Sequence, residues 1–234
     1  MVITMSREAE AGAEEIARLV AEQCGLQVAD RVILERIAQQ EGMPVRLVGL
    51  FDDTVPGAIE ALIAEWQTSV SQASYLRRLV RILLVLEQED SVIILGRGAA
   101  FVLTDPGTLH VRVIAPLPCR IARLVQRQGL RPAEAERLLV RSDLDRQRFV
   151  RQAFGADVAS PSHYDLTLNT AELSPQTAAE LVILAARRKS ARRQVAAERP
   201  EYLLTHLTRV QRRSQLPRVS SVTWESLRRR STLP

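Results

Sequence analysis

Short, mostly apolar runs of strand length alternate along the chain with segments whose apolar residues repeat at helical spacing. The clearest runs are "VIT", "SVIIL", "TLHVRVI" and "YDLTL". Apolar strands separated by helices are typical of a parallel sheet that is covered on both faces. We therefore predict an α/β fold with helices at residues 11–24, about 32–41, within "MPVRLVGLFDD", at 57–66, 70–89, 118–128 and 132–151, and from Ser174 to Lys189.

The charge of the chain divides it into two parts. Its 234 residues suffice for one α/β domain with a buried core, and the overall net charge is +5. Residues 187–234 hold 13 basic and three acidic side chains, a net charge of +10, which leaves −5 for residues 1–186. We therefore predict a slightly acidic domain at 1–186 and a basic C-terminal extension at 187–234.

Composition excludes several classes of protein. The two cysteines, Cys24 and Cys119, are too few for a disulfide framework or a zinc centre, so we predict no metal site. The N-terminus has no basic stretch followed by an apolar core, and the longest apolar run, "ILLVLEQED", is too short to span a bilayer. We expect a cytoplasmic protein that does not bind membranes.

The turn after the first apolar run, "SREAEAGAEEIA", stands where many α/β proteins hold a phosphate group. Such loops use glycines to bring backbone N–H groups together, and a lysine to neutralise the phosphates. This turn keeps one glycine, Gly12, which we predict as a nucleotide-binding residue. It has no lysine, and it carries four glutamates: Glu8, Glu10, Glu14 and Glu15.

Three segments in one order resemble the cytidylate kinase-like family, a branch of the P-loop nucleoside monophosphate kinases. They are the opening "ITMSRE" with "GAEEIARLVAEQCGLQVADRVILERIA", then "VIILGRGAAFVL" with "LHVRVIAPLPCRIARLV", and finally "RSDLDRQRFVRQAFG" with "PSHYDLTLNT". The resemblance covers about residues 1–186. It implies a parallel sheet of the P-loop nucleoside monophosphate kinase type, flanked by helices and carrying a helical lid, to which this chain adds the basic extension.

The resemblance also implies where an acceptor nucleotide would bind. Arg97 in "LGRGA" matches an arginine that holds the monophosphate, and the planar guanidinium group suits phosphate oxygens. Asp30 and Arg31 match the acceptor side of the family's turn after the first helix. Gly98 stands where cytidylate kinases have an aspartate that helps to read cytosine, which puts cytosine specificity in doubt.

The segment "SDLDR" matches the lid motif of the family. By resemblance, Asp143 contacts sugar hydroxyls and Arg146 reaches a phosphate; the two lie three residues apart and share a helix face. Leu139 stands where cytidylate kinases have a further arginine. We therefore name Arg146, Arg141 and Arg148 as the catalytic candidates.

The phosphate loop itself departs from the family. The lysine position of true kinases falls on Ala13, the basic position of the branch on Glu14, and the magnesium-binding hydroxyl on Glu15. Two like charges about 4 Å apart repel by ~4 kcal/mol near a protein surface, so Glu10 and Glu14 oppose a bound triphosphate. The leading hypothesis is a weak or inactive kinase retained for nucleotide binding or assembly.

Two alternatives stay open. One is an active CMP/UMP kinase in which Arg7 or a lid arginine replaces the lysine, with ATP and Mg²⁺ as its cofactors. The other is a scaffold whose basic extension, residues 187–234, binds an acidic protein or a second copy of the chain. Nucleic acid is less favoured, because only Tyr202 and Trp224 offer stacking aromatics there. The sequence decides neither the nucleotide nor the oligomeric state.

Overall fold

A computed structural model describes residues 1–29, 71–88 and 91–197, which form a parallel β-sheet flanked by helices. Every strand pair in the sheet is parallel, and the order is β2-β3-β1-β4-β5. The predicted α/β sheet is therefore confirmed. The strands are β1 (Val2–Arg7), β2 (Gln27–Ala29), β3 (Val92–Leu95), β4 (Leu109–Ile114) and β5 (Leu166–Asn169).

The helices follow the predicted pattern. Those predicted at 11–24, 70–89, 118–128 and 132–151 are present, with ends that differ by three residues at most. The predicted helices at about 32–41, within "MPVRLVGLFDD" and at 57–66 lie outside the described residues. The helices are α1 (Ala13–Cys24), α2 (Ser71–Gln88), α3 (Ala99–Val102), α4 (Leu117–Gln128), α5 (Pro132–Phe154) and α6 (Pro175–Ala197), with a 3-10 turn at Pro161–His163.

The core lies where α1 and α6 cover the two central strands, β1 and β4. Ile3 and Met5 of β1 are completely or almost completely buried, as are Ile16 of α1 and Val182 of α6. Burial of each large apolar side chain contributes about 1.5–3 kcal/mol. The apolar runs of the sequence therefore fix the central strands, and with them the position of the loop that follows β1.

The last helix is longer than predicted. It extends to Ala197, so the predicted boundary between residues 186 and 187 falls within α6. The division into a domain and a basic extension stays a prediction, because residues 198–234 lie outside the described part of the chain. Among the described helices, none is long and apolar enough to cross a membrane.

A polar cluster ties α6 to the beginning of the strands. The Asp165 carboxylate accepts the His110 backbone N–H at 2.8 Å and also bonds to Lys189 of α6, while Thr4 Oγ1 lies 2.8 Å from His110 Nδ1. Burial lowers the pKa of His110, and the charge of Lys189 lowers it further. Burial acts to raise the pKa of Asp165, but the His110 hydrogen bond and Lys189 outweigh it and lower that pKa. This cluster lies at the edge of the sheet opposite the β1–α1 turn.

The turn after β3 has an unusual backbone. Gly96, Arg97 and Gly98 all adopt left-handed conformations, with φ of 70°, 60° and 66°. A Cβ atom added to Gly98 would lie 2.2 Å from the ring of Phe154, and that ring is itself packed on Phe101 and Phe149. Gly98 is therefore required both for its conformation and for the close approach of α5.

We predict that Gly98→Ala destabilises the fold by about 3 kcal/mol, because a left-handed alanine is strained and its methyl group overlaps Phe154. Gly25→Ala is the matched control: Gly25 has φ of 67° but no atom within 4 Å of its added Cβ. Its cost should be limited to the ~1–2 kcal/mol of backbone strain. Urea unfolding of both variants measures the difference, and equal losses would contradict the contact with Phe154.

Candidate functional site

The β1–α1 loop, Glu8–Gly12, follows β1 at the carboxyl edge of the sheet, where β3 and β4 flank β1. Gly12 caps the N-terminus of α1 with φ of 86°. Glu10 adopts a left-handed conformation with φ of 59°, which is uncommon for a residue with a side chain. The loop therefore contains two left-handed residues, Glu10 and Gly12, of which only Gly12 is a glycine.

Arginines of α4 hold the backbone of this loop. Arg120 donates from Nη1 to Ala9 O at 3.3 Å, and Arg123 donates from Nη1 to Glu10 O at 3.2 Å. Arg123 also bonds to the hydroxyl and the carbonyl of Thr170, whose hydroxyl donates to Ala11 O at 2.8 Å. The loop is thus fixed by carbonyl contacts from α4 and from the end of β5.

Glu10 of the loop and Glu14 of the first turn of α1 each contact an arginine. Arg7 Nε lies 2.5 Å from Glu14 Oε1, and Arg127 Nη2 lies 2.5 Å from Glu10 Oε1. Two of the arginines around the loop are therefore paired with carboxylates of the same loop and helix.

Glu8 contacts the end of β4. Its Oε2 accepts the Ala115 N–H at 3.2 Å and lies 3.6 Å from Arg120 Nε, while its Oε1 lies 3.9 Å from Arg112. Arg112 and Arg120 are both buried. Glu8 is therefore a half-buried residue that is joined to two buried arginines.

The predicted lid residues Asp143 and Arg146 lie at this site. Asp143 Oδ1 accepts the Ala9 N–H at 2.9 Å and lies 3.4 Å from Arg146 Nη1, and Asp143 Oδ2 accepts Arg120 Nη1 at 2.5 Å. The structure thus brings Asp143 and Arg146 to the loop. Whether they contact sugar and phosphate stays a prediction.

The other two lid candidates occupy different positions. Arg141 lines a cavity of about 800 Å³ between the loop and helices α4 and α5, together with Glu10, Glu14 and Arg146. We call this the loop cavity. Arg148 is largely exposed, lies 3.6 Å from Asp145 and lines a groove along α5 that shares Arg141 and Asp145 with the loop cavity. The two catalytic assignments stay predictions: Arg141 lines the loop cavity, whereas Arg148 lines the adjoining groove.

A second, smaller cavity of about 230 Å³ lies beside the loop. Four arginines line it: Arg7, Arg112, Arg120 and Arg146. Glu8 and Asp143 contribute its two carboxylates. We call this the arginine cavity. Even with Arg7 paired to Glu14, three guanidinium groups face these two carboxylates, and this net positive charge suits an anion.

The predicted acceptor residues are only partly described. Arg97 lies in the left-handed turn after β3, next to β1, where the Gly96 N–H donates to Met5 O at 2.9 Å. Arg97 and Arg7 therefore end adjacent strands at the same edge. Asp30 and Arg31 lie outside the described residues.

Sequence reasoning missed Arg112 and Arg120, the two most buried cations of the site. Arg112 bonds to Ser6 Oγ at 3.3 Å and lies 5.7 Å from the centre of the Tyr164 ring, and the Tyr164 hydroxyl donates to Ser6 Oγ at 3.2 Å. One signal was visible: an arginine inside the otherwise apolar strand "LHVRVI" requires a buried partner.

Comparison with known proteins agrees with the fold. The model of the cytidylate kinase-like family matches residues 2–172. The cytidylate kinase of Pyrococcus horikoshii is 25% identical over 177 residues, which cover 75% of this chain and 83% of that enzyme. A uronate isomerase of Corynebacterium glutamicum is 32% identical over 95 residues, but this chain spans only 18% of that enzyme's length.

A solved structure shares the fold. The crystal structure of an uncharacterized protein from Eubacterium ventriosum superposes with a TM-score of 0.59, and the match covers 80% of this chain and 98% of that one. The two sequences are 16% identical, so the likeness concerns the fold alone.

We predict that Arg120→Ala destabilises the protein by about 3–5 kcal/mol, because it removes a buried cation that pairs with both Asp143 and Glu8. Arg127→Ala is the control: that side chain is 61% exposed, and its pair with Glu10 should contribute at most ~1 kcal/mol. Urea unfolding measures both losses. A loss for Arg127→Ala as large as that for Arg120→Ala would contradict the central role of Arg120.

Proposed function

Because the chain belongs to the cytidylate kinase-like family, we propose that it binds a nucleoside monophosphate and transfers phosphate from ATP only weakly or not at all. The observation that carries this proposal is the pairing of Glu10 and Glu14 with two arginines beside the loop. Glu14 holds Arg7, and Glu10 holds Arg127, each at 2.5 Å. These arginines are therefore already neutralised where a donor phosphate would need them.

The same pairing argues against the active-kinase alternative in which Arg7 replaces the missing lysine. Arg7 would have to leave Glu14 in order to contact a phosphate, and Glu14 would then face that phosphate as an uncompensated anion. Near a protein surface, two such charges about 4 Å apart repel by ~4 kcal/mol. Lid arginines remain the other candidates, and Arg141 and Arg146 both line the loop cavity.

The residues of the loop do not fit the family's donor, ATP with Mg²⁺. Ala13 offers no cation, and Glu14 and Glu15 add negative charge at the first turn of α1. The N–H groups of Ala9 and Ala11 bond to Asp143 and to Glu8 O, so they are not directed at a ligand. We therefore derive no transfer step through bound ATP.

We expect the purified protein to phosphorylate CMP, UMP or AMP at least ~10³-fold more slowly than the 1–100 s⁻¹ usual for kinases. The release of ADP in the presence of Mg²⁺ measures the rate. As a comparison, Glu10→Gly with Glu14→Ser should bind ATP more tightly than the wild type, whereas Glu22→Gln at the far end of α1 should not. A wild-type turnover near 1 s⁻¹ would refute the proposal.

The acceptor side supports nucleotide binding. Arg97 matches the family arginine that holds the monophosphate, and its backbone keeps a left-handed conformation that is unfavourable for a residue with a Cβ by about 1–2 kcal/mol. Strain of this kind concentrates at functional sites. The strained turn thus places Arg97 at the carboxyl edge of the sheet, where open α/β sheets bind ligands.

We predict that Arg97→Ala abolishes the binding of a nucleoside monophosphate, because it removes the cation assigned to the phosphate. Calorimetry with CMP, UMP and AMP measures the affinities, and a monophosphate should bind more readily than ATP. Arg18→Ala is the control, since Arg18 is an exposed arginine of α1 that pairs with Glu22. Unchanged binding by Arg97→Ala would reject this assignment.

The scaffold alternative depends on the basic extension. Most of that segment, residues 198–234, lies outside the described residues, so binding to an acidic partner or to a second copy stays a prediction from its charge. The family membership and the arginine cavity favour the nucleotide-binding proposal over it.

A further inference from the structure

Hydrogen-bond donors of the kind that bind anions surround the Asp143 carboxylate. Its two carboxylate oxygens contact three donors from three separate parts of the chain: the Ala9 N–H of the loop at 2.9 Å, Arg120 of α4 at 2.5 Å and Arg146 of α5 at 3.4 Å. A backbone N–H and two guanidinium groups that converge on one point are the donors that proteins use for phosphate groups.

Two of these donors, Arg120 and the loop backbone at Ala9, are held in place by contacts other than Asp143. Arg120 donates from Nε to Ala115 O at 2.8 Å and is buried. The Ala9 carbonyl accepts Arg120, and the neighbouring carbonyls of Glu10 and Ala11 are held by Arg123 and Thr170. If the Asp143 carboxylate moved away, Arg120 and the loop would still be positioned to receive another anion.

The surroundings have room and charge for that exchange. The arginine cavity, about 230 Å³, adjoins Asp143 and contains four guanidinium groups against two carboxylates. Glu8 is fixed by the Ala115 N–H and by Arg120 at the end of β4. Asp143, the other acid that lines this cavity, lies on α5, the helix that carries the predicted lid motif.

We propose that Asp143 is an internal anion that occupies a phosphate-binding position, and that the phosphate group of a ligand binds by displacing it. While no ligand is bound, Asp143 connects α5 to the loop through the Ala9 N–H. A phosphate group that displaces Asp143 breaks this connection, so that ligand binding changes how α5 is held. This inference rests on the proposed function in one respect, that the displacing ligand is a phosphate compound.

Calorimetry with inorganic pyrophosphate tests the displacement, because this probe has no sugar that Asp143 could contact. Asp143→Asn keeps the size of the side chain but removes the competing charge, so the full-length variant should bind pyrophosphate at least ~10-fold more tightly than the wild type. Asp143→Glu keeps the charge and should bind no more tightly than the wild type. Glu136→Gln removes one charge from the exposed side of the same helix and should change the affinity by less than ~2-fold.

Three results would overturn the proposal: unchanged or weaker pyrophosphate binding by Asp143→Asn, an equal gain for Glu136→Gln, or no binding by any variant. A CMP titration separates this proposal from the proposed function. If Asp143→Asn gains pyrophosphate affinity but no variant binds CMP, the displacement stands and the nucleotide-binding function fails. If CMP binds while Asp143→Asn shows no gain with pyrophosphate, the function stands and the displacement fails.

A measurement on the wild type covers the case in which Asp143→Asn does not fold. The ¹³C resonance of the Asp143 carboxyl group and the amide resonance of Ala9 should both shift when pyrophosphate is added, because their hydrogen bond breaks. The carboxyl resonance of Asp165, at the opposite edge of the sheet, should not shift. An Asp143 carboxyl resonance that is unaffected by saturating pyrophosphate would overturn the proposal.

Discussion

The arrangement of the candidate site depends on one buried guanidinium group, that of Arg120. It donates to the carbonyls of Ala115 and Ala9 and pairs with Asp143 and Glu8, and so joins the end of β4, the β1–α1 loop and α5. An unpaired buried charge costs several kcal/mol, so the packing of Arg120 requires these partners to stay close. Arg120 therefore positions both the loop and the predicted lid helix, so that a displacement of either one alters its contacts with Arg120.

Around Arg120, the protein balances its own charges where its family binds phosphate. Glu10 and Glu14 neutralise Arg127 and Arg7, and Asp143 accepts a loop N–H together with two arginines. Because these groups already have partners, a donor nucleotide would add little binding free energy at the loop: each contact with it would replace an existing hydrogen bond or ion pair. The arginine cavity differs, since Arg112, Arg120 and Arg146 outnumber its two acids even when Arg7 is counted as neutralised by Glu14.

The turn at Gly96–Gly98 shows how a departure from the family is accommodated. The resemblance marked Gly98 as the position of an absent aspartate. In the structure Phe154 packs directly against Gly98, and Phe154 belongs to an aromatic cluster with Phe101 and Phe149. A side chain at position 98 would collide with that ring, so the glycine and the end of α5 are adapted to each other.

The sequence by itself determined the alternation of strands and helices, the parallel sheet, the place of the loop, and the pairing of Asp143 with Arg146. Each of these follows from local spacing. The repeat of apolar residues indicates whether a segment is a helix or a strand, and residues three apart on a helix share a face. Only the tertiary structure decided that Arg112, Arg120 and Thr170 belong to the site, and that Arg148 lies away from the loop. Arg120 meets Ala9 across 111 positions of the chain, and Thr170 meets Ala11 across 159. No local sequence pattern encodes such contacts. They form only when packing excludes water from these polar side chains, so that groups distant in the sequence become their hydrogen-bond partners.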